Sequence, residues 1–187
     1  MEGLLFYWIS WSIWIYLTFI LRKNHPLRWR MSAMMLMLII LTSVHFSIGH
    51  FELFGSGLFI LFIVYMSVSN EKKGLTFYFL VSSLIISIAY STFHLFEIFD
   101  PVWLFFDRGW MLGLIMGGLT LSLQKSFKWR FLTLLAGGMQ GEILTAFLLE
   151  RYSIIDPIGA LDFLDVSAIA SVFIILWSAF EHVSAIY

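Results

Sequence analysis

The chain has 187 residues, 60% of them hydrophobic and only 12% charged, with 20 Phe, 8 Trp and 9 Met. A soluble domain is about 45–50% apolar and about 25% charged, and a fold of this size hides only about 70% of its surface, so this composition would leave large sticky patches in water. The same numbers exclude intrinsic disorder, the lack of cysteine excludes disulfide scaffolds and thiolate metal sites, and 11 basic residues against 12 acidic ones exclude a phosphate-neutralising nucleic-acid surface. An integral membrane protein remains, with the lipid bilayer as its first partner.

A helix needs about 20 apolar residues to cross the roughly 30 Å hydrocarbon core. Seven apolar runs approach that length: 3–21, 31–51, 53–69, 75–99, 102–123, 131–149 and 166–183. They are apolar all round rather than alternating, which argues against a barrel. The expected fold is therefore all-α, a single polytopic domain of seven transmembrane helices joined by short polar turns that hold Pro26, Pro101 and Pro157.

Charge sets the expected orientation. Arg22, Lys23, Arg28, Arg30, Lys72, Lys73, Lys125, Lys128 and Arg130 fall after the first, third and fifth runs, which puts nine of eleven basic residues on one side. Glu2, Glu52, Glu97, Asp100, Glu150, Asp156, Asp162 and Asp165 fall on the other, with Arg108 and Arg151 as basic exceptions. The positive-inside rule then places the N-terminus outside and the C-terminus in the cytoplasm. Tyr7, Trp8, Trp11 and Trp14 load the outer half of the first run with amphipathic rings.

Ionisable residues inside spans are costly and direct attention to function. His45, His94, Asp107 and Glu142 each lie about 7–10 Å from the outer end of their run at a rise of about 1.5 Å per residue. His45 and Glu52 are seven residues apart on one helical face, His94 and Glu97 are i, i+3 neighbours, and Arg108 is a cation able to pair with Glu97 or Glu142. The set His45, His94, Glu97, Asp107, Arg108 and Glu142 is thus a candidate polar layer. It serves either as interhelical glue or as a proton, metal or hydrolytic site. No HExxH, HxxxH or cysteine pair is present, and His45 and His50 sit about 140° apart, so no metal or cofactor is expected.

Gly109, Gly113 and Gly117 recur every four residues in the fifth run, as do Gly137 and Gly141 in the sixth. Such stripes let backbones approach closely, and chain adjacency favours contact between runs five and six over the alternative of a homodimer face, with Leu112 turned to lipid.

The histidines, Asp107 and the serines Ser43, Ser47 and Ser91 are similar to seven-helix intramembrane hydrolases related to alkaline ceramidases. The last run departs from that pattern, because it offers only His182 beside Glu181. It also has no Lys for a retinal Schiff base. Glu2-Gly3 followed by Phe6, Tyr7, Trp8 and Trp11, then a basic loop and six further short-loop runs, resembles the YphA-like family of membrane proteins from Bacillus and its relatives. That resemblance implies a bacterial cytoplasmic-membrane protein without an established biochemical activity, and carries over no site residues. The leading expectation is a small non-catalytic multi-pass protein acting through lipid contacts or another membrane protein. The alternatives are a proton-coupled small-molecule carrier using the His/carboxylate layer and an intramembrane metal-dependent hydrolase.

Overall fold

A computed structural model describes residues 3–22, 28–49, 51–100, 102, 104–105, 107–152 and 154–184. Glu2, Lys23, Pro26, His50 and Pro101 lie outside the described residues. Helix α1 (Leu4–Ile15) runs on through a single π turn (Tyr16–Ile20), and α2 (Arg28–Leu41) follows. A hairpin of β1 (His45–Ile48) and β2 (Phe51–Phe54) leads into α3 (Gly55–Ser69). The rest is helical: α4 (Lys73–Phe99), α5 (Arg108–Leu123), α6 (Phe127–Glu150) and α7 (Leu161–Ser184).

The expectation of seven spans is corrected to three. Among the described residues only α4, α6 and α7, of 27, 24 and 24 residues, are long and apolar enough to cross a membrane. At about 1.5 Å per residue each exceeds the roughly 30 Å hydrocarbon core. The inside–outside arrangement built on seven crossings falls with the count. The apolar runs themselves are real, but the backbone breaks them at identifiable places. The run 31–51 stops being helical after Leu41 because Ser43, Val44, His45, Phe46, Ser47 and Ile48 alternate polar with apolar, the period of a strand. β1 and β2 pair antiparallel in the register His45↔Phe54, Phe46↔Leu53, Ser47↔Glu52 and Ile48↔Phe51. That pairing takes Leu53 and Phe54 from the next run and leaves α3 only 15 residues. The run beginning at 102 turns helical only at Arg108, where Asp107 accepts from the Gly109 N–H at 3.1 Å as the N-cap.

The long helices pack in pairs that skip a chain neighbour. A Cβ on Gly137 would come within 2.7 Å of the Ile86 side chain, and one on Gly141 within 2.7 Å of Tyr90, so α6 lies directly on α4. The same construction at Gly113 and Gly117 meets Ile169 at 2.8 Å and Phe173 at 2.7 Å, both on α7. Gly109 is looser, with Ile169 at 3.8 Å. Helices α5 and α6 do touch, as expected, but neither glycine stripe forms that contact: the stripe of α5 lies on α7 and that of α6 on α4. Leu112, expected to face lipid, is fully buried with Phe79, Ile86, Met116, Met139 and Phe163 in the core. Trp8, Phe62, Phe77 and Phe180 are exposed instead, an apolar outer face suited to acyl chains.

The end of the bundle where α1 and α7 begin is pinned by one side chain and by backbone pairing. Asp165 on α7 accepts from the Gly3 and Phe6 N–H groups, each at 2.7 Å, and so caps the start of α1, whose first N–H groups have no partner within the helix. The segment 154–160, between α6 and α7, lies along the hairpin. Phe54 N–H donates to the Ile158 carbonyl at 2.9 Å, and Ile158 N–H to the Glu52 carbonyl at 2.8 Å. This pairing satisfies backbone groups that no helix serves, a requirement in a protein surrounded by lipid.

Candidate functional site

Where segment 154–160 reaches the bundle, it meets the buried carboxylate of Glu142. α6 presents this residue one position after Gly141, where the missing Cβ lets α4 come close. Glu142 is only 6% exposed. Its Oε1 accepts from the Tyr90 hydroxyl on α4, and its Oε2 accepts from the Gly159 N–H at 3.1 Å. Gly159 can offer that N–H because its φ of 75° is a conformation open to glycine, and because its Cα region lies against Gly57, 2.9 Å from where a Cβ would stand. The Ser56 hydroxyl donates to the Gly159 carbonyl at 3.0 Å, and Ser91 donates to the Gly141 carbonyl at 3.0 Å. Glu142 therefore ties α4, α6 and the capping segment together, and two serines hold the backbone on either side.

The network continues along α4 toward the surface. Tyr90, His94 and Glu97 recur at i, i+4 and i+7 and share one face. The Tyr90 and His94 rings stack with centroids 4.6 Å apart. Beyond His94, the Arg108 guanidinium at the start of α5 closes three contacts. Its Nη2 lies 3.0 Å from His94 Nδ1, its Nε 2.9 Å from Glu97 Oε2 and its Nη1 2.7 Å from Asp162 Oδ2 on α7. A guanidinium has no lone pair, so it donates and the imidazole nitrogen accepts. Asp156, in the capping segment, feels this cluster as well. Burial raises its carboxyl above the usual range, Arg108 pulls it back down, and Asp162 adds to the rise.

Of the six residues singled out from sequence, His94, Glu97, Arg108 and Glu142 are brought into one network. His45 and Asp107 are not. His45 stands exposed on β1 with its ring 6.0 Å from Phe54, and Glu52 sits on the facing strand opposite Ser47, so the shared helical face does not exist. Asp107 is a helix cap. Tyr90, Gly159 and Asp162 complete the network and were not singled out. Tyr90 was legible, since it sits one turn before His94 on the same stripe. Gly159 was not, because a backbone N–H carries no mark in the sequence. Among the described residues, no group of three or more His, Asp or Glu side chains is placed to hold a metal ion.

A Bacillus subtilis (strain 168) protein described as "Uncharacterized protein YphA" is 26% identical over 186 residues, covering 99% of this chain and 92% of that protein. No solved structure matches the chain. The family described as YphA-like integral membrane protein matches residues 2–187, so essentially the whole chain takes part in the likeness. Long apolar helices, a bundle closed by polar side chains and a match along its full length make this chain a member of the YphA-like family of multi-pass integral membrane proteins.

Proposed function

We propose that this membrane protein is non-catalytic and works by contact with lipid and with another membrane protein, the Glu142 network serving as an internal clamp. The observation that supports this reading is how the network is closed. Each Glu142 oxygen accepts from a protein donor, Arg108 is engaged by two carboxylates and an imidazole, and the link between Tyr90 and His94 is a ring stack. A carrier needs a continuous hydrogen-bonded path for its proton, and a hydrolase needs a positioned base facing a reacting group. A ring face supplies neither. What the clamp holds is the hairpin and segment 154–160 against α4 and α6, leaving an apolar exterior for neighbours in the bilayer.

Glu142→Gln tests the reading. The amide retains the shape, its oxygen can take the Gly159 N–H and its NH2 can donate to the Tyr90 hydroxyl oxygen, so the expected loss of stability is about 1 kcal/mol or less. The variant should insert, fold and complement a deletion strain as well as the wild type. A Glu142→Gln protein with a wild-type unfolding midpoint in detergent that nonetheless reproduces the deletion phenotype would overturn the clamp reading in favour of a site that moves protons.

A further inference from the structure

The hairpin ends on an open edge whose hydrogen-bonding phase is fixed by contacts elsewhere in the sheet. The Glu52 carbonyl and the Phe54 N–H turn to Ile158, at 2.8 and 2.9 Å. Backbone groups alternate sides along a strand, so Phe51, Leu53 and, just past the strand, Gly55 turn theirs the other way, toward β1, and the Gly55 N–H meets the Val44 carbonyl at 2.8 Å. In the register His45↔Phe54 to Ile48↔Phe51, Val44, Phe46 and Ile48 therefore spend their groups on β2, while His45 and Ser47 turn both N–H and C=O away from the sheet. Both residues are exposed, and among the described residues β1 is the last strand of a two-stranded sheet.

Two features make this edge a template for another strand. It is unguarded: His45–Ile48 holds no lysine, proline or bulge, the devices that keep natural edges from pairing. It also overhangs the bundle. Phe46, Phe51 and Leu53 share one face of the sheet, and Phe51 and Leu53 pack on the core, with the Phe51 ring 5.0 Å from that of Phe147 on α6. Phe46 lies beyond that contact and stays 51% exposed. The strand that fits is β1 itself. Antiparallel pairing about Phe46 sets His45 opposite Ser47 of the second copy and Ser47 opposite its His45, so every outward N–H meets an outward carbonyl. Phe46 then faces Phe46 of the second copy, which carries the row of Leu53 and Phe46 across four strands as one apolar stripe. The opposite face sets Glu52 and Ser47 in line with His45 of the second copy, a polar row.

We propose that the open edge of β1 pairs antiparallel with β1 of a second copy of this chain, joining two hairpins into a four-stranded sheet centred on Phe46. Such a contact is isologous, each copy offering the same patch, so it closes as a dimer. The inference rests on the contact reading and deepens it by naming the second copy as the neighbouring membrane protein. It is tested by cross-linking rather than by the phenotype of Glu142 variants, so its failure leaves the clamp argument in place.

The experiment is oxidative cross-linking of the full chain in native membranes with copper phenanthroline. The chain has no cysteine, so single substitutions report without background. In a non-hydrogen-bonded pair the two Phe46 Cα atoms stand about 4.5 Å apart, within disulfide reach, whereas the two Ser47 Cα atoms stand roughly 9 Å apart, beyond it. Phe46→Cys should therefore give a covalent dimer and Ser47→Cys should not. Adding Ser47→Pro to Phe46→Cys should abolish the cross-link and leave the unfolding midpoint in detergent unchanged, because proline removes an outward N–H that β2 does not use. If the proline variant does not fold, the two cysteine variants decide the matter. Absence of the Phe46→Cys dimer, equal cross-linking of Phe46→Cys and Ser47→Cys, or a folded proline variant that still cross-links overturns the proposal. A disulfide from Phe46→Cys to a different protein in place of the dimer overturns it too, by assigning the edge to another partner.

Discussion

α6 buries two charged residues about 18 Å apart along its axis, and the protein treats them in opposite ways. Arg130 is 5% exposed and is met by an opposite charge, with Glu181 Oε2 at 2.8 Å, the Ser178 hydroxyl at 2.7 Å and the Gln124 carbonyl at 2.8 Å. Glu142, at 6%, is met only by neutral donors, the Tyr90 hydroxyl and the Gly159 N–H. The difference follows from position. Arg130 lies one turn into its helix, and its partner Glu181 is about half-exposed on the last turns of α7, so that ion pair keeps one foot in solvent. Glu142 lies deeper, where two desolvated ions would have to compensate each other completely. Its contacts instead fix backbone and ring positions, which makes it a joint between elements rather than an anchor at an end.

That contrast can be broken experimentally. The largest effect is expected for Glu142→Leu, which leaves two buried donors without acceptors at about 1–3 kcal/mol each, read as a fall in the unfolding midpoint in detergent. Gly159→Ala should come next. A Cβ would strain a left-handed backbone and press on Gly57, at a cost of about 1–3 kcal/mol. It should also free segment 154–160 to proteolysis before the helices are cut. Arg130→Met should cost less, at the lower end of about 1–3 kcal/mol for the one Gln124 carbonyl left unpaired, with nothing added for Glu181, which returns to water. If Arg130→Met is the more damaging of the two charge removals, the joint and the anchor have been assigned the wrong way round. Glu181→Gln should produce the smallest shift in midpoint, because its amide still accepts from Arg130 or from the Trp177 indole, now 2.9 Å from Glu181.

Part of this arrangement was visible in the residues. Depth along each helix singled out His94, Glu97, Arg108 and Glu142, because an ionisable group among apolar neighbours is conspicuous whatever its partners. His45 and Asp107 are as conspicuous in the sequence and stand outside the network. The run 31–51 has the apolar content of one helix, yet the alternation from Ser43 to Ile48 makes its end a strand, and the run from 102 contains Asp107, which is a cap. Apolar length reports how much of a segment avoids water. It does not report the winding of the backbone.

Composition by itself determined that this chain lives in a bilayer, since 60% apolar residues on 187 positions have nowhere else to go. The glycine spacing determined that some helices meet closely. Which helices meet was decided only in three dimensions. The stripe at Gly113 and Gly117 finds Ile169 and Phe173 on α7, and the one at Gly137 and Gly141 finds Ile86 and Tyr90 on α4. A stripe of small residues specifies a close approach and says nothing of the partner, so shape complementarity with a bulky side chain chooses it. Glu142 shows the same limit. Its burial was legible from its neighbours in the chain, but the N–H that holds it belongs to Gly159, which reaches Glu142 only because the capping segment is paired to the hairpin. Hydrogen bonds to backbone groups depend on the path of the chain, and that path is fixed only when the whole bundle has assembled.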